Sequence, residues 1–352
     1  MVLEGTPKPT PAAGLPLPTI MKLLGPYVMA IAASFLVAGI FIAAMGFNVL
    51  HAYSTILFTS FRTLNGFVQT LLKFVPLMLQ ALAFTVPLAA GKFNIGGEGQ
   101  LIVGAIGATA VGILFNELPM IILLPLVLLA GILFGAIWGL IPGWLLYRFN
   151  THEILTTVLL NFIAFGLLDF VATEIWKDPA AGHPTTIPIG TNGMLPMLIS
   201  NPPLHSGIIL AVLIAAAVYV YTNRSIGGYE LIATGANPRA ARVYGIDVRK
   251  MFVLSLVIAG ALAGLSGAIE VAGVQHRLIM GLQSNYLILG LIIGLIARGK
   301  NLAVPFVAFF IAVLEVGASA MQRTMMIPVE LVFIVEALVL LFVLLSDVIR
   351  KR

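Results

Sequence analysis

The sequence contains no cysteine and very little charge. Its 352 residues include 19 Lys and Arg and 14 Asp and Glu, so only 9% of the chain is charged. A soluble globular chain has about 25% charged residues. The absence of cysteine excludes disulfides, thiolate metal sites and thiol chemistry. The shortage of charge excludes a soluble enzyme, a nucleic-acid-binding domain and a disordered regulator.

In place of charge the chain has long apolar segments. Hydrophobic residues make up 60% of the 352 residues, about 211 in all, which is enough for roughly ten membrane helices. Continuous apolar stretches at 121–133 and 331–345 favour helices over the alternating strands of an outer-membrane barrel. We therefore predict an all-α polytopic membrane protein. The predicted spans are 24–45, 68–90, 100–115, 119–146, 154–173, 206–222, 252–272, 285–297, 302–320 and 329–346.

The basic residues predict the orientation. With the N-terminus in the cytoplasm, 14 of the 19 Lys and Arg fall on the cytoplasmic side of these spans. The other five are Arg62, Lys73, Lys177, Arg277 and Arg323. Basic residues favour the cytoplasmic side, so both termini are predicted to be cytoplasmic. Residues 1–20 carry five prolines and are predicted to be a disordered tail, followed by one transmembrane domain at 21–352.

Two polar loops connect the predicted spans. The external loop at about 174–205 contains six prolines, and we expect it to be stiff, with a short helix on the surface. The cytoplasmic loop at about 223–250 carries five basic residues. Within it, Pro238–Tyr244 is predicted to form a short helix, because Pro favours the first helical turn and Asn237 can cap it.

One span carries glycine at every fourth position, at Gly131, Gly135, Gly139 and Gly143. This spacing puts the glycines on one helix face, where another backbone can approach closely. The stripe predicts tight packing against a neighbouring helix, within the subunit or across a dimer.

Polar side chains within the apolar segments are the candidates for a substrate path. Four glycines interrupt residues 91–100, which form either a discontinuous helix facing a wet cavity or an ordinary turn. Ionisable residues inside membrane spans are costly and suggest function, although pairing inside the bundle is the alternative. The candidates are Asn94, Glu98, Gln100, Asn161, Glu270, Gln275 and Glu315, with Glu336 as a further buried acid.

The sequence predicts neither a metal site nor an ATP site. The five His are scattered, and there is no Cys to support them. The run from Gly294 to Asn301 is close to a phosphate-binding loop, but it ends in Asn where a hydroxyl is needed and it lies in a span. The chain is therefore not expected to be an enzyme or to hold a cofactor itself.

The loop from Gly235 to Lys250 resembles the cytoplasmic coupling loop of ABC importer permeases of the branched-chain amino acid and simple-sugar superfamily. The span at 259–268 resembles the Gly/Ala-rich span after that loop, and 93–100 is similar to the signature of the nucleoside branch. The resemblance implies that the loop docks an ATPase through Gly235, Ala236, Asn237, Pro238, Arg239, Ala240, Ala241, Arg242, Tyr244 and Gly245.

The same resemblance implies the assembly and its activity. Two permease subunits, most simply a heterodimer, would stand on two ATP-binding subunits that hold ATP and magnesium. An extracytoplasmic binding protein would deliver nucleosides, and alternating access would move them through a bacterial inner membrane. The residues leave two alternatives open. One is the same family carrying simple sugars or another small polar solute. The other is an ion-coupled secondary transporter that uses Glu315 and Glu336.

Overall fold

The structure, a computed structural model, describes residues 17–326 and seven positions between 333 and 345. Residues 1–16 of the predicted tail lie outside the described residues, as do Glu336 and most of the predicted span at 329–346. Residues 17–20, the last part of the predicted tail, are helical and belong to the first helix, which begins at Leu17.

The described residues form twelve α-helices. They are α1 (Leu17–Ala44), α2 (Val49–Arg62), α3 (Leu64–Ala89), α4 (Gly97–Leu114), α5 (Met120–Phe149), α6 (Glu153–Phe170), α7 (Gly207–Arg224), α8 (Ile226–Ala236), α9 (Pro238–Val243), α10 (Val248–Glu270), α11 (Tyr286–Ile296) and α12 (Val304–Met325). Single π-helical turns extend α6 through Ile175 and α10 through Gln275.

Seven of these helices are long and apolar enough to cross a membrane, namely α3, α4, α5, α6, α7, α10 and α12. Two shorter apolar helical segments, Ala32–Ala44 and Tyr286–Ile296, lie at predicted spans. The prediction of an all-α polytopic membrane protein is confirmed. The described residues do not establish the predicted number of ten spans.

Helix α2 was not predicted. Its residues were expected to form part of an external connection, because polar side chains interrupt its apolar sequence. The Asn48 side chain caps it by accepting a hydrogen bond from the His51 N–H at 3.0 Å. The helix packs against α12 so closely that a Cβ at Gly317 would overlap the backbone of Ile56. Tertiary packing therefore stabilises a helix that hydropathy alone does not indicate.

The loops that connect the helices lie alternately at the two ends of the bundle, as the sequence predicts. At one end the backbone of Gly91 contacts Gly235. At the other, the Gly190 N–H donates to Gly112 O and the Ile189 N–H donates to His276 O, both at 2.9 Å. Following the distribution of basic residues, we call the first the inner end and the second the outer end.

Helix α10 occupies the centre and packs against α3, α4 and α5. The glycine stripe of α5 faces it. A Cβ at Gly135 would overlap the Gly260 carbonyl oxygen, and Gly139 lies equally close to Leu256 O. Gly131 approaches Gly264 in the same way, and Gly143 lies against Val253. The two backbones touch along this line, so the stripe packs within the chain.

The external loop forms a hairpin where a short surface helix was expected. Strands β1 (Met197–Ser200) and β2 (Pro203–His205) pair antiparallel. The loop also contains one 3-10 turn, Thr191–Gly193. Proline removes backbone donors and is poorly tolerated inside a helix, which accounts for the extended geometry.

Candidate functional site

The bundle is interrupted from its inner end between α3 and α4. After Ala89 the chain reverses at Gly91, which has φ +74°, and runs back along α3. The Gln80 side chain donates to Gly97 O at 3.2 Å, where α4 begins. Gln80 lies nine residues before the end of α3, or about 13 Å at 1.5 Å per residue. Helix α4 therefore begins inside the bundle, and we call residues 91–97 the inner break.

Five buried polar side chains hold this inner break, and we call them the amide cluster. They are Gln80, Asn94, Gln100, Thr157 and Asn161. Asn94 Nδ2 donates to Gln100 Oε1 at 2.8 Å, and Gln100 Nε2 donates back to Asn94 Oδ1 at 3.1 Å. This reciprocal pair satisfies both carboxamides without any charge.

Asn161 of α6 connects the two sides of the inner break. Its Nδ2 donates to Ile95 O at 2.8 Å, and its Oδ1 accepts from the Gly99 N–H at 2.9 Å. The Thr157 hydroxyl accepts from the Ile95 N–H at 3.3 Å. These bonds satisfy backbone groups that no helix satisfies, which is the usual requirement for irregular backbone at membrane depth.

A second interruption comes from the outer end, between α10 and α11. We call residues 276–285 the outer break. Helix α11 has only 11 residues, and its Gly290 faces Gln80 of α3. Gly97, in the first turn of α4, lies against the side chain of Leu287 in the first turn of α11, and the neighbouring Glu98 carboxylate interacts with the Leu287 backbone. Two helix N-termini, which carry partial positive charge, therefore meet inside the bundle at Glu98.

A group of ionisable side chains lies next to this junction, and we call it the charged cluster: Lys73, Glu270, Tyr286 and Glu315. The Tyr286 hydroxyl donates to Glu270 Oε1 at 3.2 Å, and Lys73 Nζ donates to that hydroxyl oxygen at 3.4 Å. The Lys73 ammonium lies 5.0 Å from the centroid of the Tyr286 ring. Glu315 interacts electrostatically with Tyr286. Four helices thus bring one cation, two carboxylates and one phenol together.

The structure separates the predicted path residues into two groups. Asn94, Gln100 and Asn161 belong to the amide cluster, whereas Glu270 and Glu315 belong to the charged cluster. Glu98 lies between the two clusters. Gln275 ends the π-helical turn after α10, is half-buried, and is in neither cluster.

The sequence interpretation missed two members of the charged cluster. Lys73 was assigned to the outer surface, but α3 begins at Leu64, so Lys73 lies in its third turn and is half-buried. A lone lysine in an apolar stretch was the available signal. Tyr286 gave no signal, because an aromatic residue at the start of an apolar helix is ordinary.

The helix expected within 238–244 is present as α9. The Asn237 side chain caps it by accepting from the N–H groups of Arg239 and Ala240, both at 3.1 Å. Arg239 and Arg242 are exposed, Ala241 is buried, and Tyr244 just after the helix is 85% exposed. This inner surface is basic at its exposed positions.

The segment α8–α9 is in direct contact with the inner break. A Cβ at Gly235 would overlap Ala89 O and would lie 2.8 Å from the Gly91 nitrogen. Beside this contact, Lys92 Nζ pairs with Glu153 at 3.2 Å and lies 4.7 Å from the Phe252 ring centroid. Gly235 lies at the end of α8, three residues before α9, so a displacement of the α8–α9 segment would act directly on the chain where α3 ends.

Comparison with known proteins identifies the class. Residues 66–344 match the family described as the permease component of the branched-chain amino acid transport system. The chain belongs to this family of membrane permease components.

Three curated relatives are similar over most of the chain. The glucose ABC transporter permease protein TsgB13 of Haloferax volcanii is 32% identical, covering 93% of this chain and 88% of the relative. The nucleoside ABC transporter permease protein NupB of Lactococcus lactis is 30% identical, covering 94% and 92%. The guanosine ABC transporter permease protein NupP of Bacillus subtilis is 33% identical, covering 87% and 88%. No solved structure gives a significant match.

Proposed function

We propose that this chain is the transmembrane permease subunit of an ATP-driven ABC importer that moves nucleosides inward by alternating access. The observation that carries the proposal is the exposed α9 whose neighbour Gly235 lies against the inner break. The nucleoside assignment is supported by the relatives NupB and NupP and by the sequence at 93–100.

The proposed mechanism begins on partner subunits. Two ATP-binding subunits, which hold ATP and magnesium, dock on the basic surface at Arg239 and Arg242. Their closure moves α9, and the Gly235 contact passes this motion to the end of α3 and to Gly91. To shift the bundle from 1:99 to 99:1 between its two states requires about 5.5 kcal/mol of differential binding. Nucleotide binding on the partners supplies this energy.

The proposed substrate path runs between the two interruptions of the bundle. It comprises the residues Asn94, Glu98, Gln100, Asn161, Glu270, Gln275 and Glu315, now joined by Lys73 and Tyr286. A nucleoside is neutral and carries several hydroxyl donors. The carboxylates of the charged cluster can accept hydrogen bonds from such hydroxyls. In the amide cluster, the side chains of Asn94, Gln100 and Asn161 already bond to one another or to backbone groups, and the cluster shapes the wall.

The proposed assembly contains a second permease, most simply as a heterodimer, and an extracytoplasmic substrate-binding protein, in a bacterial inner membrane. The external loop and the outer basic residues can meet acidic groups on the binding protein. Of these basic residues, Arg62, Lys177 and Arg323 are exposed. Arg277 instead pairs with Asp178 at 2.9 Å, and Lys73 lies in the charged cluster. The docking contribution is therefore assigned to Arg62, Lys177 and Arg323.

A second candidate substrate is a simple sugar, because the glucose permease TsgB13 is similar at 32% identity over nearly the whole chain. Titration of the partner binding protein with nucleosides and with monosaccharides separates the two candidates. Uptake that persists after ATP depletion with an intact proton gradient would instead favour the ion-coupled alternative.

The coupling assignment is tested with Arg239→Glu combined with Ala240→Glu. We expect uptake to be abolished while the amount of protein in the membrane stays normal, because the docking surface changes sign without touching the bundle. Arg224→Glu, at an exposed position of the same end, is the control and should retain uptake. Normal uptake in the double variant would reject the coupling role of α9.

A further inference from the structure

An exposed apolar groove runs along α5 and α10, in their inner halves. Its volume is about 340 Å³. Lys250 lines the groove at its inner end. The other lining residues are apolar or aromatic: Leu140, Trp144, Tyr147, Val253, Leu254 and Val257. On each helix these positions recur at spacings of three or four residues, so they form one continuous face. Over seven residues the groove is about 10 Å long.

The inner end of the groove is positively charged. Lys250 lines it, and Arg148 and Arg249 stand beside it at the ends of α5 and α10. The guanidinium carbons of Arg249 and Arg148 lie 5.9 Å and 5.8 Å from the ring centroids of Tyr147 and Phe149. Stacking on aromatic rings keeps both cations at the level where the apolar wall ends.

Among the described residues, one acidic group forms an ion pair with these cations. Asp247 contacts Lys250 Nζ at 3.2 Å, with the side chains 46% and 72% exposed. An exposed ion pair of this kind is weak and exchanges with solvent. Asp247 also caps α10 by accepting from the Lys250 N–H at 3.2 Å. Three cations against one carboxylate leave the inner end of the groove positive.

We propose that this groove binds an anionic glycerophospholipid of the inner leaflet, such as phosphatidylglycerol. The acyl chain lies along the aliphatic wall, and the phosphate meets Arg148, Arg249 and Lys250. Trp144 and Tyr147 lie where aromatic side chains are enriched at the membrane interface. Basic pockets between membrane helices on the cytoplasmic side are suited to anionic headgroups. Charge complementarity at one end of an otherwise apolar groove selects this occupant over a protein helix, which needs no such charge.

The proposal is tested on the full chain in detergent by native mass spectrometry with phosphatidylglycerol and phosphatidylcholine of identical acyl chains. The wild type should retain phosphatidylglycerol in preference to phosphatidylcholine. Arg249→Ala with Lys250→Ala should weaken phosphatidylglycerol binding by about 30-fold, at about fivefold for each cation. Binding of phosphatidylcholine should change little.

Two further variants test whether lipid binding depends on the groove itself or only on the positive charge of the inner end. Arg239→Ala with Arg242→Ala removes the same two charges from the same end, away from the groove, and should keep phosphatidylglycerol bound. Leu254→Trp fills the groove without changing charge and should release it. Retention of lipid in both groove variants, or equal wild-type binding of the two lipids, would overturn the proposal.

A protein occupant gives a different outcome. Because the chain has no cysteine, Leu254→Cys introduces a single thiol into the groove. In native membranes, a thiol-to-photoreactive cross-linker attached to this cysteine should form no adduct with a second permease. A cross-link to a second permease, whether another copy of this chain or a different subunit, would assign the groove to a permease interface and overturn lipid binding.

Discussion

The inner break at 91–97 and the outer break at 276–285 both leave a helix starting inside the bundle, but they are supported by different chemistry. Around the inner break, neutral side chains bond to one another and to backbone groups at 2.8–3.4 Å. Next to the outer break, ionisable side chains meet at Tyr286 through contacts of 3.2 and 3.4 Å.

This difference gives the two clusters different roles: the amide cluster supports the backbone, and the charged cluster can bind a ligand. A carboxamide pair whose donors and acceptors are satisfied gains nothing from a polar ligand, because binding would break bonds already made. Two carboxylates and one ammonium that share a single phenol retain further acceptor and donor capacity. We therefore expect the amide cluster to fix the path and the charged cluster to meet the substrate.

The largest effect is expected from Asn161→Leu in the amide cluster. The change leaves the buried Gly99 N–H and the partly buried Ile95 C=O unpaired, at about 1–3 kcal/mol each. Thermal unfolding in detergent should show a loss of about 2–6 kcal/mol in total, and less protein should reach the membrane.

Asn223→Leu is the matched control for that change. Asn223 is exposed and bonds only within its own helical turn, so it should unfold like the wild type. If Asn161→Leu were equally stable, the amide cluster would not be the support, and the contrast between the two breaks would fail.

Glu270→Gln should reduce transport without unfolding the protein. The carboxamide still accepts from Tyr286 and has nearly the same shape, but the charge that faces Lys73 is lost. The loss of a charge-assisted hydrogen bond predicts about a 10–100-fold fall in uptake at low substrate concentration. Uptake kinetics should show a raised KM with little change in thermal stability.

Glu174→Gln, at an exposed position of the outer end, provides the control and should transport normally. If Glu270→Gln lost stability while KM stayed constant, the charged cluster would stabilise the fold, as the amide cluster does, and would not bind the substrate.

The outer end should also be sensitive to pH. His205 is the last residue of β2 at the outer end, and burial beside His276 lowers the pKa of its imidazole to about 4. An unfolded histidine has a pKa near 6.5, so between these values the unfolded state binds more protons. Folding stability should therefore fall as pH drops from about 6.5 to 4, by about 3 kcal/mol at most.

Thermal unfolding measured across this pH range should show the slope in the wild type and a weaker slope in His205→Gln. His183→Gln, at an exposed position of the same loop, should keep the wild-type slope. If stability depended on pH in the same way in His205→Gln as in the wild type, His205 would not be the source of the pH dependence.

Local features of the fold and of the site could be predicted from the sequence. The α9 cap at Asn237 and the glycine face of α5 depend on spacing within one helix, and spacing is visible in the chain. The charged cluster depends on contacts such as Lys73 with Tyr286, which are 213 residues apart. Their depth is set by where α3 and α11 begin. Hydropathy predicts the start of α11 to within one residue, at 285 against Tyr286, but it predicts the start of α3 four residues too late, at 68 against Leu64.

The smallest expected effect compares one ion pair at each end. Lys92 pairs with Glu153 at 3.2 Å, with side chains 19% and 10% exposed, whereas Arg277 pairs with Asp178 at 2.9 Å, with 33% and 17% exposed. Partly exposed pairs contribute about 0–1 kcal/mol, but Lys92 also lies over the Phe252 ring. Lys92→Gln should therefore lower thermal stability slightly more than Arg277→Gln, and both losses should shrink in high salt. A larger loss of stability in Arg277→Gln than in Lys92→Gln would contradict this. It would mean that charged pairs matter more at the outer end than at the inner end, at the surface as well as in the charged cluster.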